Sequence, residues 1–446
     1  MQKRVLVIGS GRVAGPLIDY LLSRGHFVTI GTIEPERAIE LVAGRPNGAV
    51  VDLDLDDEAA LAKLMQGQDG AVSLAPFPFH IKVARACLAA GVHLVTTSYV
   101  SDEMAALHDE ALAKDLLFLN ECGLDPGLDH MSAMELFRAV KDAGAEVVSY
   151  KSHCGGIPAP EANDNPFGYK FSWSPKGVLV AAKSSARYCE DGKEIVRSEE
   201  EVHRHTWTIE VDDVGPLEAY PNRDSMKYEE LYGLGDVPTI IRATLRYEGW
   251  SRSVAALRAL GLLEEEPVLG EGETWAALTA RRTGGVKGEA GAGSAREAAA
   301  RHLDIPADDP VLDRLAWLGL FGSDTAGDAG KSPIDTLVNR MIDRMAYADD
   351  EPDMVVLQDE VIAKFPDGHR ERFLSTLICK GEPGGESAMA RTVGLPAAVA
   401  TSMIVEGKIA ERGVRIPTDA DIYEPILTAL DHAGIRFEEK REQVSD

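Results

Sequence analysis

The first third of the chain alternates two kinds of hydrophobic pattern. Short β-branched or apolar runs predict strands at residues 3–8, 27–33, 50–53, 70–75, 93–98 and 116–121. Between these runs, apolar residues recur at helical spacing and predict helices at residues 12–23, 35–42, 57–65, 81–90 and 102–114. Because strands and helices follow one another in strict alternation, we expect a parallel, doubly wound sheet of the α/β class.

The pattern changes after about residue 145. Alternating polar and apolar positions at residues 146–153, 202–211 and 240–247 predict an antiparallel, half-exposed sheet. Helical spacing follows at 251–263 and 295–343, with a Gly/Ala/Ser-rich stretch at 284–295 that we predict to be flexible. Strands return from residue 354, where Phe365-Pro366-Asp367-Gly368-His369 predicts a hairpin turn, and helices follow at 387–411 and 423–433.

These patterns divide the chain into three predicted parts. Residues 1–125 form a Rossmann-type domain, completed by C-terminal helices at about 387–446. Residues 126–250 and 351–386 form a mixed or antiparallel α+β sheet domain, and residues 251–350 form a helical insertion. The predicted fold class is therefore α/β with a second, α+β domain.

Composition narrows the class of protein. Of 446 residues, 46 are Lys or Arg and 73 are Asp or Glu, and the formal charge of −27 argues against a nucleic-acid partner. Apolar residues make up 45% and charged residues 27%, which is typical of a folded globular protein. No apolar run approaches the ~18 residues of a membrane span, and no signal-peptide pattern opens the sequence. We therefore expect a cytoplasmic protein without a membrane partner.

The cysteines and histidines do not indicate a metal site. The five cysteines are widely spaced and form no C-x-x-C pair, which is typical of reduced thiols and disfavours structural zinc. His203 and His205 stand on a predicted strand without a third ligand at suitable spacing. We interpret these two histidines as a solvated strand edge, and we predict no metal.

A glycine-rich loop follows the first predicted strand. Its sequence, Gly9-Ser10-Gly11-Arg12-Val13-Ala14, has the G-x-G-x-x-A form of the dinucleotide fingerprint. Gly9 allows a tight turn, Gly11 lets a pyrophosphate approach, and the following helix offers unpaired N–H groups to the phosphates. The alternative is a purely structural glycine turn, but the position between strand and helix favours a nicotinamide cofactor.

The end of the second strand bears on the choice between NAD and NADP. No Arg stands there, whereas Glu34 follows within two residues and would accept hydrogen bonds from ribose hydroxyls. This favours NAD, and Arg37 keeps NADP open as an alternative. Asp52 and Leu53 close the third strand and could bracket adenine, while Ala75 closes the fourth and could line the path to the nicotinamide. Ordinary strand-end loops are the alternative for both.

The residues that leave the fifth and sixth strands should face the reacting end of the cofactor. They are Thr97-Ser98-Tyr99 and Gly123-Leu124-Asp125-Pro126-Gly127-Leu128-Asp129-His130. Asp125 is either a helix-capping residue ahead of Pro126 or a carboxylate for binding or proton transfer.

Four further blocks identify a family resemblance. In chain order they are Glu121-Cys122-Gly123-Leu124-Asp125-Pro126-Gly127-Leu128-Asp129-His130-Met131, Cys154-Gly155-Gly156-Ile157-Pro158-Ala159-Pro160, Tyr169-Lys170-Phe171-Ser172-Trp173-Ser174-Pro175 and Pro221-Asn222-Arg223-Asp224-Ser225. They resemble saccharopine dehydrogenases of the glutamate-forming type, which also occur as the second enzyme of bifunctional lysine-degrading proteins. The resemblance runs from the glycine loop to residues 387–407.

The resemblance implies an activity and a set of site residues. It implies oxidation of saccharopine by a nicotinamide cofactor, release of L-glutamate and 2-aminoadipate 6-semialdehyde, and a homodimer whose second sheet domain serves substrate binding and dimerisation. Arg223 and Arg246 match substrate-binding positions and suit a bidentate grip on carboxylates. The other implied substrate residues are Ser98, Tyr99, Asp125, Thr244 and Leu245. The implied cofactor residues are Ser10, Gly11, Arg12, Val13, Asp52, Leu53, Thr97, Ser98, Leu124, Asp125, Pro126 and Ser174.

Oxidation of an amine requires groups that move protons. Asp125, Cys154 and Tyr99 are our predicted catalytic residues, and His153 is a further ionisable candidate. Cys154 could equally be a plain buried thiol. Two alternative functions stay open: a carboxynorspermidine-type dehydrogenase, and a non-catalytic nucleotide-binding sensor on the same fold.

Overall fold

The computed structural model describes residues 2–284 and 292–444. Internal contacts group the chain into two units. Unit 1 comprises Met1–Cys154, Glu230–Gly235 and Val355–Asp446, and unit 2 comprises Gly155–Glu229 and Asp236–Met354. This grouping does not decide the three-part division, which stays a prediction.

The elements are numbered in chain order. The strands are β1 Arg4–Ile8, β2 Phe27–Thr32, β3 Gly48–Asp52, β4 Gly70–Ser73, β5 His93–Thr96, β6 Leu117–Leu119, β7 Glu146–Pro158, β8 Ala186–Glu190, β9 Lys193–Arg197, β10 Trp207–Val211, β11 Gly215–Pro221, β12 Thr239–Arg246, β13 Asp353–Lys364, β14 Arg370–Lys380, β15 Gly413–Arg415 and β16 Glu438–Val444.

The α-helices lie between the strands. They are α1 Ala14–Ser23, α2 Pro35–Val42, α3 Glu58–Met65, α4 His80–Ala90, α5 Asp102–Ala105, α6 His108–Ala113, α7 Leu128–Asp142, α8 Pro175–Ala181, α9 Glu199–Val202, α10 Lys227–Leu231, α11 Trp250–Ala259, α12 Trp275–Arg282, α13 Ala292–Leu303, α14 Pro310–Trp317, α15 Pro333–Met345, α16 Ala388–Val405 and α17 Ala420–His432. Short 3₁₀ helices span Phe77–Phe79 and Pro160–Ala162.

Unit 1 contains the predicted parallel sheet. Its strand order is β15-β6-β5-β4-β1-β2-β3, and its neighbouring strands pair in parallel. Strand β1 is buried from Val5 to Ile8, which explains its continuous apolar run, because helices cover both faces of such a sheet. A core cluster that includes Leu6, Val83 and Phe118 lies against this sheet. The Rossmann-type fold class is confirmed.

A second sheet has the strand order β10-β11-β12-β7-β13-β14-β16, with β8 paired to β12 and β9 paired to β8. The β10–β11, β11–β12 and β14–β16 pairs are antiparallel. The predicted hairpin turn at residues 365–369 joins β13 to β14, with Phe365 N donating to His369 O. In unit 2, a core that includes Trp250, Trp275 and Leu315 holds the helices of the predicted insertion together.

Two local predictions were wrong. Residues 102–114 form the two helices α5 and α6, because Leu107 N donates to Met104 O and tightens the turn between them. Residues 202–206 are not a strand: Ser198 and Glu201 form a capping box that starts the short helix α9, and β10 begins only at Trp207. Of the flexible stretch predicted at 284–295, residues 285–291 lie outside the described part of the chain, and α13 begins at Ala292.

The interpretation of His203 as a solvated edge was also wrong. Its side chain is 3% exposed and its ring lies 4.7 Å from that of Tyr220. Burial, with help from the positive charges of Arg258 and Arg246, lowers the pKa of His203 to about 3. His203 is therefore a neutral core histidine.

Helix α16, the possible metal ligands and the cysteines bear on membrane, metal and thiol chemistry. Helix α16 is long and apolar enough to span a membrane, but 78% of its apolar window is buried, as in a core helix of a soluble protein. Among residues 2–284 and 292–444, no cluster of three His, Cys, Asp or Glu suits a metal ion. Within the same ranges, Cys87, Cys122, Cys154, Cys189 and Cys379 are buried and form no disulfide.

Candidate active site

The glycine loop lies at the carboxyl edge of the parallel sheet, where β1 stands between β2 and β4. Gly9 has a φ of +101°, its N–H donates to Gly31 O at 2.9 Å, and a Cβ there would lie 3.2 Å from Leu74 O. Glycine is therefore required at this turn. Nothing lies within 4 Å of the Cβ position of Gly11, so this side of the loop is open.

Helix α1 begins directly after this loop. Val13 precedes it without a side-chain cap, and its first turn carries no acidic residue. In that turn Ala14 N donates to Gly11 O at 3.1 Å and Pro16 has no N–H, so Gly15 supplies the N–H group that an anion could meet, and the helix dipole favours negative charge there. The open Gly11 surface and the uncapped helix end fit the pyrophosphate of a dinucleotide, and Arg12 is exposed beside them.

Short hydrogen bonds shape the end of β2. The hydroxyls of Ser10 and Thr32 lie 2.8 Å apart, and Glu34 N donates to Thr32 Oγ1 at 3.0 Å. These bonds leave the side chain of Glu34 exposed at the edge of the sheet. Asp52 is also exposed at the end of β3, whereas Leu53 is 3% exposed and packs beneath Gly31. Glu34 and Asp52 are thus the acidic side chains that could meet a ribose here.

The residues that follow β5 and β6 form a polar cluster in unit 1, and Tyr99 and Asp125 are its central pair. Tyr99 Oη donates to Asp125 Oδ1 at 2.9 Å. Thr97 packs on Gly123, where a Cβ would lie 3.0 Å from Thr97 Cβ, so the ends of β5 and β6 are close. Leu124 and Pro126 are buried around this turn. The sequence-predicted residues of the fifth and sixth strands are therefore brought together, and they present a carboxylate with an adjacent phenol.

His80 joins this cluster and was not predicted. Its Nε2 lies 2.7 Å from Ser98 Oγ, and its Nδ1 lies 2.8 Å from Ser73 Oγ. Burial lowers the pKa of His80 to about 4, so the ring is neutral near pH 7 and orients the Ser98 hydroxyl without adding charge. His80 begins α4, which follows the carboxyl end of β4. Because ligands bind at the carboxyl ends of parallel strands, this position could have identified His80 as a site residue.

A cavity opens beside this cluster. Its lining includes His80, Thr96, Tyr99 and Asn120. The Oδ1 atom of Asn120 is buried and has no hydrogen-bond partner among the described residues. Thr96 at the end of β5 and Asn120 just after β6 therefore bring polar side chains to one space, together with His80 of α4. Ala75, after β4, is half-buried, and its cofactor role stays a prediction.

Cys154 and His153 lie on β7 in unit 1. Cys154 is 7% exposed. His153 is 3% exposed, and burial, with the charge of Lys151, lowers its pKa to about 4. A neutral imidazole of such low basicity is poorly suited to accept a proton near pH 7. The catalytic role of Cys154 stays a prediction.

In unit 2, Arg246 ends β12 and is 6% exposed. Its Nη1 donates to Leu245 O at 2.6 Å, while its Nε has no hydrogen-bond partner in the described part of the chain. The rings of Tyr169 and Trp250 lie 4.9 and 5.8 Å from its Cζ atom. No carboxylate of the described residues forms an ion pair with Arg246. A buried guanidinium in such surroundings is suited to an anionic ligand.

The other predicted residues of unit 2 have different surroundings. Thr244 is half-buried and Leu245 is fully buried on β12. Arg223 is exposed with a φ of +54°, and its carbonyl accepts from Arg187 N at 2.9 Å. Ser174 caps α8, since its Oγ accepts from Gly177 N at 3.1 Å. The ligand roles of these residues stay predictions.

Comparison with known proteins supplies the family. Residues 5–119 match the saccharopine dehydrogenase NADP binding domain, and residues 123–435 match the saccharopine dehydrogenase C-terminal domain. The chain belongs to the saccharopine dehydrogenase family. The resemblance read from the glycine loop and the four sequence blocks is thereby confirmed.

Individual relatives extend over nearly the whole chain. It is 36% identical to the saccharopine dehydrogenase [NADP(+), L-glutamate-forming] of Schizosaccharomyces pombe, over 98% of each chain. It is 37% identical to the mitochondrial alpha-aminoadipic semialdehyde synthase of Bos taurus, of which it spans 47%. The apo saccharopine dehydrogenase (L-Glu forming) of Saccharomyces cerevisiae superposes with a TM-score of 0.89 at 36% identity, covering 99% of this chain and 100% of that one.

These matches assign a nicotinamide-dinucleotide-binding oxidoreductase of this family. They leave the choice between NAD and NADP, homodimerisation and the cellular location as predictions.

Proposed function

We propose that this protein is an L-glutamate-forming saccharopine dehydrogenase. It oxidises the secondary amine of saccharopine with NAD and then hydrolyses the resulting imine with water. The products are L-glutamate and 2-aminoadipate 6-semialdehyde. Matches to relatives named for this reaction, over nearly the full length, support the proposal.

The observation that carries the proposal is the environment of Arg246. Its guanidinium is buried among aromatic rings and has no carboxylate partner in the described part of the chain. A buried charge without an opposite charge beside it is costly, and that cost falls when a ligand brings the opposite charge. Saccharopine carries three carboxylates, and a bidentate contact between Arg246 and one of them would satisfy the charge.

The Tyr99–Asp125 pair suits the proton steps of the reaction. The nitrogen of the protonated amine must lose a proton before the neighbouring carbon gives up hydride, and water must then be activated to attack the imine carbon. When bound, the nicotinamide accepts the hydride. Asp125 would take the proton from nitrogen, and Tyr99 Oη, 2.9 Å from its carboxylate, would orient it.

The proposal of NAD rests on the end of β2. The exposed Glu34 would accept hydrogen bonds from the ribose hydroxyls and would repel a 2′-phosphate. Arg37, also exposed on α2, is the group that would favour NADP instead, the cofactor printed in the names of the relatives.

One assay tests substrate and cofactor together. Purified protein is supplied with saccharopine and either NAD or NADP, and both the absorbance of reduced cofactor and the release of glutamate are followed. We expect both signals in equal amounts, with a higher kcat/KM for NAD. A higher kcat/KM with NADP would overturn only the cofactor choice. Turnover of carboxynorspermidine but not saccharopine would replace the proposed substrate, and no turnover of either would overturn the enzymatic function.

A further inference from the structure

Glu121 is a buried acidic residue behind the Tyr99–Asp125 pair. It follows β6 by two residues and is 2% exposed. A carboxylate at this depth needs donors, and each of its oxygens has one. Val100 N donates to Oε1 at 3.0 Å, and His130 Nε2 lies 2.7 Å from Oε2. Because Val100 follows Tyr99 directly, the Glu121 carboxylate fixes the backbone that carries the tyrosine ring.

His130 holds the second oxygen of that carboxylate. It lies in the first turn of α7 and is 0% exposed, and its Nδ1 lies 2.7 Å from Tyr232 Oη. Since an ionised carboxylate only accepts, Nε2–H donates to Glu121, and Nδ1 forms a second hydrogen bond with the Tyr232 hydroxyl. The Tyr232 ring packs edge to face on His130 at 5.8 Å. The imidazole is therefore held with its N–H aimed at Glu121.

The same turn of α7 also supports the Asp125 side of the pair. Gly127 N donates to Asp129 Oδ1 at 2.6 Å. Gly127 has a φ of +147°, and a Cβ there would lie 2.2 Å from Gly123 O, so the turn after Asp125 closes tightly. Asp129 precedes His130 in the chain, and its Oδ1 lies 3.6 Å from His130 Nδ1. The first turn of α7 therefore supports both sides of the pair. His130 binds the carboxylate that holds the backbone next to Tyr99, and Asp129 binds the backbone of the turn that follows Asp125.

The backbone of Glu121 points to the same role. Its φ of +54° lies in the left-handed region that a side-chain-bearing residue rarely adopts. Its N–H donates to Ser98 O at 3.1 Å, next to Tyr99. Such strain persists where the surroundings determine the conformation, and it occurs often at functional sites.

We propose that Glu121 and His130 are positioning residues, which hold the Tyr99 hydroxyl on Asp125 in the geometry used for proton transfer at the substrate amine. The inference rests on the proposed function, which supplies that amine. Glu121 acts through the Val100 backbone, and His130 acts through Glu121.

Glu121→Gln is the principal test. The side-chain shape and an acceptor for Val100 N–H are kept, but an amide N–H group now faces the N–H of His130. We expect kcat to fall roughly 10-fold with the KM for saccharopine nearly unchanged. The acidic limb of the kcat/KM profile should move to higher pH, because Asp125 loses the donor that stabilises its charged form. Glu110→Gln, an exposed change on α6, should leave the profile in place.

A milder variant and a measurement without turnover complete the test. Tyr232→Phe removes only the hydroxyl at His130 Nδ1, so it decides the case if Glu121→Gln does not fold; we expect a smaller pH shift in the same direction. Crystal structures of the variants should show Tyr99 Oη beyond hydrogen-bond distance of Asp125. If the unmodified protein does not oxidise saccharopine, the proposed function is wrong. The distance between Tyr99 Oη and Asp125 in the variant structures then still tests whether Glu121 and His130 position this pair. A folded variant that keeps the 2.9 Å bond overturns the inference, as does an unshifted profile in an active one.

Discussion

At the scale of single residues, Arg246 offers the most direct test of substrate binding. Its guanidinium is buried beside Tyr169 and Trp250. Arg246→Gln should raise the KM for saccharopine roughly 10- to 150-fold, which corresponds to the loss of about 1.5–3 kcal/mol of charge-assisted hydrogen bonding. The kcat and the KM for the cofactor should stay near those of the parent. Steady-state kinetics with each reactant varied in turn measure these constants.

The matched control is Arg252→Gln, an exposed change in the same unit at a residue that bonds to Asp309 at 2.8 Å. Because Arg246→Gln removes a buried charge, its free energy of unfolding should be unchanged or higher. An unchanged KM in folded Arg246→Gln would exclude Arg246 from the substrate site.

Asp359 gives stability a predicted pH dependence. It is 0% exposed on β13, and Tyr150 Oη donates to it at 3.2 Å. Burial raises the pKa of Asp359 from 3.8 to about 7. A carboxyl group shifted upward on folding contributes stability below its unfolded pKa, and that contribution is lost as pH rises through about 7. Asp359→Asn should therefore raise the free energy of unfolding above about pH 7, by up to about 4 kcal/mol, and change it little near pH 4.

Urea unfolding of variant and parent at both pH values measures this effect. The difference between the two proteins is the quantity to compare, because buried His80 and His153, with lowered pKa values, make stability rise with pH over part of the same range. Asp109→Asn, an exposed change on α6, should show no such difference. An equal gain at both pH values would contradict the assignment to Asp359.

At the scale of elements, hydrophobic period predicted β1 and other strands with buried faces, but it missed β8 and β11, which are also largely buried. The run Val5 to Ile8 is buried throughout, and β1 was predicted with its end at the right residue. β16 was missed because its residues, Glu438–Val444, are exposed and nearly all polar. Its place comes from pairing with β14, in a register from Arg370–Val444 to Thr376–Glu438, and no local pattern predicts a pairing between such distant residues. β15 was missed because three residues are too few to show a period.

The residues of the candidate site also fall into two groups, those that the sequence predicts and those that it does not. The glycine loop, Tyr99 and Asp125 were predicted because the carboxyl ends of parallel strands meet at one edge of the sheet. The partners behind them were not predicted, because their contacts join distant parts of the chain. His80 reaches Ser98 across 18 residues, and His130 reaches Tyr232 across 102. Only the folded backbone brings such pairs together.

At the scale of the whole molecule, the charge of −27 opposes the approach of anionic ligands. Saccharopine has three carboxylates and the dinucleotide has a pyrophosphate, so long-range steering cannot speed their binding. The attraction must be local. The uncapped start of α1 and the buried Arg246 are the groups that supply it.

This balance predicts the response to salt. Raising ionic strength from about 10 mM to about 150 mM shortens the Debye length from about 30 Å to about 8 Å, which screens distant surface carboxylates far more than a buried contact. The kcat/KM for saccharopine should therefore rise, by a factor of about two to five, before specific contacts weaken at higher salt. Assays in sodium chloride and potassium chloride at constant pH measure the change and separate screening from effects of one ion. A steep fall over the same range would mean that an attractive long-range field guides the substrate, and it would contradict the local attraction argued from α1 and Arg246.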